Sequence, residues 1–358
     1  MVRITPKLIF ILALILSGCA ATGPKALKST RINYNLALQQ SCNEQMLLNL
    51  VRLRYRDNPV FLEVNSISTQ YSLGGSINAG ASIKESEPDS YSAGLNLSYA
   101  EKPTITYIPL QGEKFVERLF SPIPVEHLIL LYHSGWNVAR IFRLCVQQLN
   151  ELQNAPSASG PTPEFKPEFE DFYRATQLLR FLQQKRLLDF VYRPGEPPTP
   201  GMYLDEKAQD LPETKELLRL LGLKPGRNFY PLTTDLTTKN VYSLRVETRA
   251  LIGVLFYLSH GVEVPPEDEA AGKVTVTKTQ EGKRFAWSSM LKDLFTVKVS
   301  PFLPQGAAVA VHYRGKWFYI DDADLESKST FMFLNQLFAL EAGKTKSVMP
   351  MLTIPIAQ

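Results

Sequence analysis

The sequence of 358 residues predicts an α+β fold with an N-terminal β-hairpin, a helical middle and a C-terminal ββαβ unit. Three patterns predict this fold class. Residues 70–100 alternate between apolar and small polar positions, which is typical of paired strands. The middle of the chain repeats its apolar residues at helical spacing, and residues 263–358 return to short strand patterns around one helix.

The chain begins with an export signal that covers residues 1–18. Two basic residues precede an apolar run from Leu8 to Leu16, and this run has about half the length that a membrane-spanning helix needs. The end of the run resembles the lipobox of bacterial lipoproteins, with the order Leu16, Ser17, Gly18, Cys19. The resemblance implies cleavage before Cys19 and its lipidation, which makes the membrane a partner through the lipid anchor.

The residue after the lipidated cysteine acts as a sorting mark in such lipoproteins. Ala20 stands there in place of the aspartate that retains a protein at the inner membrane. The resemblance therefore implies a location in the outer membrane, with the body facing the periplasm. Several acyl chains bind a bilayer far more tightly than one, so we expect a permanent anchor. Residues 19–32, which are small, polar and basic, are expected to form the tether.

Region 33–154 is predicted to open with a helix. Ser41 and Glu44 have the spacing of a capping box, and Pro59 would end the helix. Three arginines, Arg52, Arg54 and Arg56, lie in its last turns. They are explained either by the helix dipole together with solvation, or by contact with anionic lipid headgroups.

The hairpin of residues 70–100 carries no charge on either arm, and one of its faces is aliphatic and aromatic. It can pack within the soluble body, insert into the membrane or dock on a partner sheet. Insertion requires several protomers, since two strands alone leave unpaired backbone groups in lipid. The residues of this face that would contact membrane or partner are Tyr71, Leu73, Ile77, Ile83, Tyr91, Leu95, Leu97 and Tyr99.

Helical patterns follow the hairpin as far as residue 262. In region 33–154 they predict helices at 113–120, 124–134 and 137–154. Residues 155–164 are rich in proline and serine and are predicted to be a linker. The next region, 165–262, is predicted to be helical, with helices at 167–187, 211–221 and 247–260.

The C-terminal unit, residues 263–358, is predicted to contain one helix among four strands. Asp324 is expected to cap the helix. The patterns at 52–64 and 316–340 resemble proteobacterial lipoproteins of uncharacterised function, and this resemblance implies no activity. The strands are predicted at 295–299, 307–313, 316–321 and 348–356.

Two sets of side chains have alternative interpretations. The acidic cluster is explained by helix capping, while a hard cation held by Asp322 and Asp324 is the weaker alternative. Cys42 and Cys145 remain after lipidation, and in the cell envelope they can form a disulfide. A buried free thiol explains Cys145 equally well.

No catalytic motif is found in the sequence, so the chain is predicted to bind no cofactor and not to be an enzyme. The four histidines are scattered, and the sequence contains neither a phosphate-binding glycine loop nor a nucleophile elbow. Without residues 1–18, 37 basic residues stand against 35 acidic ones, a net charge of about +2. This near-neutral balance, without a basic block, argues against a nucleic-acid partner.

The predicted function is that of an outer-membrane lipoprotein, a structural or assembly component of a cell-envelope complex. Other envelope proteins are the expected partners, and a homo-oligomer is an alternative. A second possibility is an oligomeric pore or secretion-channel subunit that inserts one hairpin per protomer. A third is a periplasmic ligand-binding or hydrolytic lipoprotein that uses the acidic cluster.

Overall fold

The computed structural model describes residues 22–84, 87–235, 237, 239–291 and 293–342, and for residues 22–30, 65, 68–103 and 342 it describes the backbone alone. Cys19, Ala20 and the predicted strand 348–356 lie outside the described residues. The α+β prediction is confirmed, with three sheets among the described helices. The described residues of Met1–Pro59 and Lys114–Lys344 form one compact unit, here called the body, and Val60–Glu113 form the hairpin unit.

The first helix, α1 (Thr22–Arg54), starts much earlier than predicted. The capping-box prediction is wrong, because Ser41 lies inside α1 and is exposed. Residues 25–40 contain neither glycine nor proline, so good helix formers continue the helix back through the predicted tether. Among the α1 side chains that the structure describes, those from Arg31 onward, the buried apolar ones lie in the last turns and are Met46, Leu47, Leu50, Val51 and Leu53.

The hairpin unit consists of β1 (Leu62–Lys84) and β2 (Glu87–Pro109), which pair antiparallel in a two-stranded sheet. The predicted hairpin is therefore confirmed, but it is longer at its base than residues 70–100. Each strand has 23 residues and extends about 75 Å. A register shift between Val64 and Ser66 breaks the two-residue alternation, which is why the alternation does not join the extended segments of the base to the hairpin.

The body contains a six-stranded sheet in which all pairs are antiparallel except the pair of the Phe229–Thr233 and Leu244–Thr248 strands. Its strands are β3 (Val146–Leu149), β4 (Leu152–Gln153), β5 (Leu188–Arg193), β6 (Thr199–Leu204), β7 (Phe229–Thr233) and β8 (Leu244–Thr248). Their order is β4-β3-β8-β7-β6-β5.

The prediction that residues 165–262 are helical is wrong, because four of these strands, β5 to β8, lie there. Each has five or six residues, which is too short for alternation to stand out from helical spacing. In β8, four of the five residues are buried. Such a strand, followed by an apolar helix, has the same hydrophobic pattern as one longer helix.

Several helices confirm the sequence patterns, although the helix that begins at Val138 is shorter than predicted. It ends at Cys145, and the chain turns into β3 and β4 instead of continuing to residue 154. The helices of the body after α1 are α2 (Glu113–Phe120), α3 (Val125–His133), α4 (Val138–Cys145), α5 (Glu170–Gln184), α6 (Pro212–Leu220), α7 (Leu251–Ser259), α8 (Pro266–Ala270) and α9 (Ser288–Leu291).

Residues 155–164 are part of the core, so the prediction of a linker is wrong. The segment folds into a short 3-10 turn, Pro156–Ser159, and Ala155, Ala158 and Thr162 are buried. It packs against α7 at Gly253, where a Cβ atom would lie 3.3 Å from the Ser159 Cβ. Proline and serine here shape a buried turn, which composition alone does not distinguish from an exposed loop.

In the described part of the C-terminal unit, three strands precede one long helix, and the short helices α8 and α9, which the sequence pattern did not predict, come before the strands. The strands β9 (Lys298–Ser300), β10 (Ala307–Tyr313) and β11 (Lys316–Asp321) form a sheet of order β10-β11-β9, followed by α10 (Leu325–Ala342). The turn between β10 and β11 places both Arg314 and Gly315 at positive φ, 49° and 79°. Such turns match the twist of a tight hairpin.

Candidate functional site

The register of β1 and β2 brings the predicted interaction residues of the two arms together. Directly paired positions lie on the same side of a sheet, so the two apolar rows of the sequence coincide on one side. Ile83 falls at a second register shift, between Ser82 and Lys84. The other pairs are Leu73 with Tyr99, Ile77 with Leu95, Gly75 with Leu97, Ala81 with Tyr91 and Tyr71 with Glu101.

The register shift between Val64 and Ser66 extends this apolar face to the base of the hairpin. Apolar residues occupy odd positions from residue 67 to 81, but even positions before the shift, and one extra residue keeps both sets on one side. Between residues 62 and 81 of β1 and between residues 91 and 109 of β2, the face is then apolar or glycine except at Thr69 and Glu101. The added pairs at the base are Leu62 with Pro109, Val64 with Tyr107 and Ile67 with Ile105.

This apolar face is exposed at the base, where the side chains are described. Leu62 and Ile105 are each 40% exposed, and Tyr107 is 48% exposed. The opposite positions of the hairpin are mostly serine, threonine, asparagine and glycine. A row of exposed apolar groups beside a polar face marks a surface for a membrane or another protein.

The hairpin also offers two open strand edges. Within the described residues, β1 and β2 belong to a sheet of two strands, so each pairs on one side only. Residues 71–83 and 90–100 contain neither charge nor proline, the two features that usually protect an edge. Charges lie at the two ends of this stretch, where Lys84 pairs with Glu87 and Lys102 with Gln70.

The body carries a groove near the end of β8. Two cavities of about 450 and 540 Å³ make up the groove and have lining residues in common. Ser159 Oγ donates to Gln147 Oε1 at 3.3 Å, and Gln147 Nε2 donates to the Glu247 carboxylate. These groups can hold a polar ligand, but among the described lining residues no nucleophile is bonded to a base. The lining residues common to both cavities are Pro122, Thr234 and Thr248.

A buried arginine explains why α4 stops at Cys145. Arg249 donates to the carbonyl oxygens of Arg143, Leu144 and Val146 at 2.9, 3.2 and 3.0 Å, and its Nε donates to Ser159 Oγ at 2.8 Å. Burial lowers the pKa of Arg249 to about 10. The carbonyl oxygens at the end of α4 supply the partial negative charge that stabilises the cation.

A second buried cluster joins the end of α1 to the 155–164 segment. Arg54 Nη1 donates to Thr162 Oγ1 at 2.8 Å, and burial lowers the Arg54 pKa to about 10. Solvent and headgroup contact are therefore both wrong explanations for Arg54. Thr162 Oγ1 lies 3.5 Å from His260 Nδ1, whose ring stacks on Trp287 with centroids 4.2 Å apart. Burial lowers the pKa of His260 to about 3.

The acidic cluster at 321–326 confirms the prediction of helix capping. Asp324 accepts bonds from the Ser327 N–H at 3.0 Å and from its hydroxyl at 2.6 Å, at the start of α10. Asp322 is paired with Lys328 Nζ at 2.5 Å. In the part of the chain that the structure describes, no three His, Cys, Asp or Glu side chains are placed to hold a metal ion.

Of the two interpretations of the cysteines, the structure does not contain the disulfide between Cys42 and Cys145, because both are free thiols. Cys42 is exposed on α1, whereas Cys145 is fully buried at the end of α4. The buried thiol is the alternative that the structure confirms. Burial raises the Cys145 pKa well above its ordinary value, which keeps the thiol protonated and unreactive.

The polar clusters of the body unite side chains from segments far apart in the chain. Ser159, Gln147 and Glu247 belong to no motif that could have revealed them.

Among the described residues, no helix is both long and apolar enough to cross a bilayer. No protein-family model, curated protein or solved structure matches the chain.

Proposed function

We propose that the protein is a lipoprotein of the outer membrane and acts as an assembly component of a cell-envelope complex, with the hairpin unit as its interaction element. The lipobox residues that end at Cys19 support the anchor, and Ala20 supports the outer membrane. No motif or described side-chain arrangement supports catalysis, and the acidic cluster is occupied by capping and ion pairs.

The observation that carries this proposal is the single apolar face that runs along residues 62–81 and 91–109 of the hairpin, with interruptions at Thr69 and Glu101. An isolated two-stranded ribbon is marginally stable in water, because it cannot bury an apolar face by itself. The register shift between Val64 and Ser66 keeps the apolar residues of the base on that face. A partner surface, in protein or lipid, is therefore needed to cover it.

A deletion designed on the register tests the proposal. Removing residues 75–97 joins Gly74 to Ser98 as a two-residue turn between the paired Leu73 and Tyr99, and Gly-Ser suits such a turn. We expect a folded, membrane-bound protein that, after gentle detergent extraction, is no longer part of a larger complex. A complex of unchanged size would contradict an assembly role for the hairpin.

A pair of point variants provides the matched control. Ile77→Asp places a charge on the apolar face, whereas Asn78→Asp places the same charge one residue further, on the polar face. We expect Ile77→Asp to dissociate the complex and Asn78→Asp to leave it intact. Equal effects would show that the added charge, rather than the apolar face, matters.

A pore or secretion-channel subunit is the second candidate, and the position of the charges favours it. The charge-free stretch of β2, residues 90–100, has the 9–11 residues that a strand needs to cross a bilayer, and it lies between Asp89 and Glu101; on β1 the charge-free run is longer, from Val64 to Ile83. Conductance of the purified complex in planar bilayers separates this candidate from a purely structural role. No channel activity above that of the Ile77→Asp variant would reject it.

A further inference from the structure

The two edges of the hairpin are not equivalent, and this restricts what can pair with them. One edge belongs to β1 and the other to β2, and the two strands run in opposite directions. Viewed from the apolar face with the tip upward, β2 always lies on the same side of β1. A hairpin is thus a directional unit with a distinct left and right edge.

We infer that the partner of this hairpin is the hairpin of a second copy of the same chain, joined head to tail so that the β2 edge of one copy pairs with the β1 edge of the next. The inference rests on the proposed function, since it takes the hairpin as the interaction element. It also takes all copies to be anchored in one leaflet. Equivalent copies in one leaflet are related by rotation about the membrane normal, so all their tips point the same way.

Only the head-to-tail order points the tips of all copies in the same direction and also keeps all apolar faces on the same side of the sheet. Antiparallel pairing of β1 with another β1 reverses the tip of one copy, and parallel pairing of β1 with another β1 turns its apolar face to the opposite side. Pairing β2 with the next β1 repeats the antiparallel ladder of the hairpin itself and keeps every apolar face on one side. Such an interface does not end after two copies, so it closes only as a ring.

The composition of the edges fits this pairing. In residues 71–83 and 90–100, no lysine, arginine, aspartate, glutamate or proline interrupts either strand. Natural edge strands usually carry such residues to prevent pairing with another chain. Their absence along both edges, over the same stretch of the register, is expected when each edge receives a neighbouring strand.

Single cysteines on the two strands test the order of the edges. In full-length lipidated protein carrying Cys42→Ser, we place Ser76→Cys on β1 in one tagged chain and Asn96→Cys on β2 in a differently tagged chain. Because each chain has one hairpin cysteine, a disulfide dimer must join two copies. Neighbouring strands can be staggered, so Ser92→Cys and Ser98→Cys on β2 are tested beside Asn96→Cys.

We expect oxidised cells to contain a disulfide dimer when the β1 and β2 variants are expressed together, and to lose it when either is expressed alone. A dimer from Ser76→Cys alone at the same yield would overturn the head-to-tail order. A different result would be that no mixed dimer forms at any β2 position, although Ile77→Asp still dissociates the complex. The partner of the hairpin would then be a different protein. That result rejects this inference and leaves the proposed function standing. If Ile77→Asp also changes nothing, the proposed function itself fails.

Discussion

At the scale of single residues, the body is organised by buried polar groups that have partners from distant segments. His260 is the clearest example, since it touches Thr162 and stacks on Trp287 while its Nε2 lies 3.2 Å from the Ala158 carbonyl oxygen. Burial is the main cause of the lowered pKa of His260. The positive charges of Arg54 and Arg249 lower this pKa further. The neutral imidazole is therefore the form that the folded body accepts.

The low pKa of His260 predicts a loss of stability in acid. The unfolded chain binds a proton at this residue below pH 6.5, whereas the folded protein does so only near pH 3. The neutral form contributes its full stability above pH 6.5, and about 1.4 kcal/mol is lost for each pH unit below it. Urea unfolding between pH 7 and 4 should show a flatter pH dependence for His260→Gln than for the unchanged protein. His312→Gln, at an exposed position, should keep the original dependence, and equal slopes in all three would contradict the assignment.

Sequence reasoning succeeds for residues whose partners are close in the chain. Asp324 is correctly predicted to cap α10 because its partner, Ser327, is three residues away. The same reasoning fails for Arg54 and for the capping role assigned to Ser41. Arg54 is buried against Thr162, 108 residues further along, and no local pattern records such a contact.

At the scale of secondary structure, the same distinction decides which elements are predictable. Strict alternation over many residues is a strong signal and reveals the hairpin, and helical spacing reveals α2, α3, α5 and α6. The strands β5 to β8 escape prediction because they are short, and α4 is predicted too long because Arg249 and Asn154 bind its terminal carbonyl oxygens. The register shift near Val64 hides the base of the hairpin from a search for unbroken alternation.

The contact between α7 and the 155–164 segment gives a prediction at this scale. Gly253→Val places branched methyl groups where even a Cβ would stand 3.3 Å from Ser159 Cβ and 3.5 Å from the Ser159 carbonyl oxygen. We expect this change to lower the free energy of unfolding by about 1–3 kcal/mol, because backbone and core must move apart. The midpoint of urea unfolding measures it.

Gly160→Ala is the matched control for this packing. Gly160 follows the same turn and has an extended backbone with φ −135°, and a Cβ added there would meet no neighbouring atom within 4 Å. We expect a change within about 0.5 kcal/mol. If the two variants unfold at the same urea concentration, the turn does not pack against α7 as described.

At the scale of the whole molecule, the two units have different sources of stability. The body buries its own core, and its sheet, helices and polar clusters close on one another. The hairpin has two strands and one apolar face, so its ladder depends on whatever covers that face and pairs with its edges. The body and the hairpin should thus be similarly stable in the assembled protein, whereas in an isolated copy the hairpin should be less stable than the body.

Amide hydrogen exchange tests this difference between the units. In the assembled protein we expect slow exchange for the paired stretches 66–82 and 90–106 as well as for α7 and β8. In the dissociated Ile77→Asp variant the hairpin amides should exchange at least ten times faster, while those of α7 and β8 keep their protection, because local opening costs little without a partner. Asn78→Asp, with the same charge on the polar face, should resemble the unchanged protein. Slow exchange of the hairpin in a dissociated variant would mean that the ribbon is stable without a partner, and the reason for its assembly would then lie elsewhere.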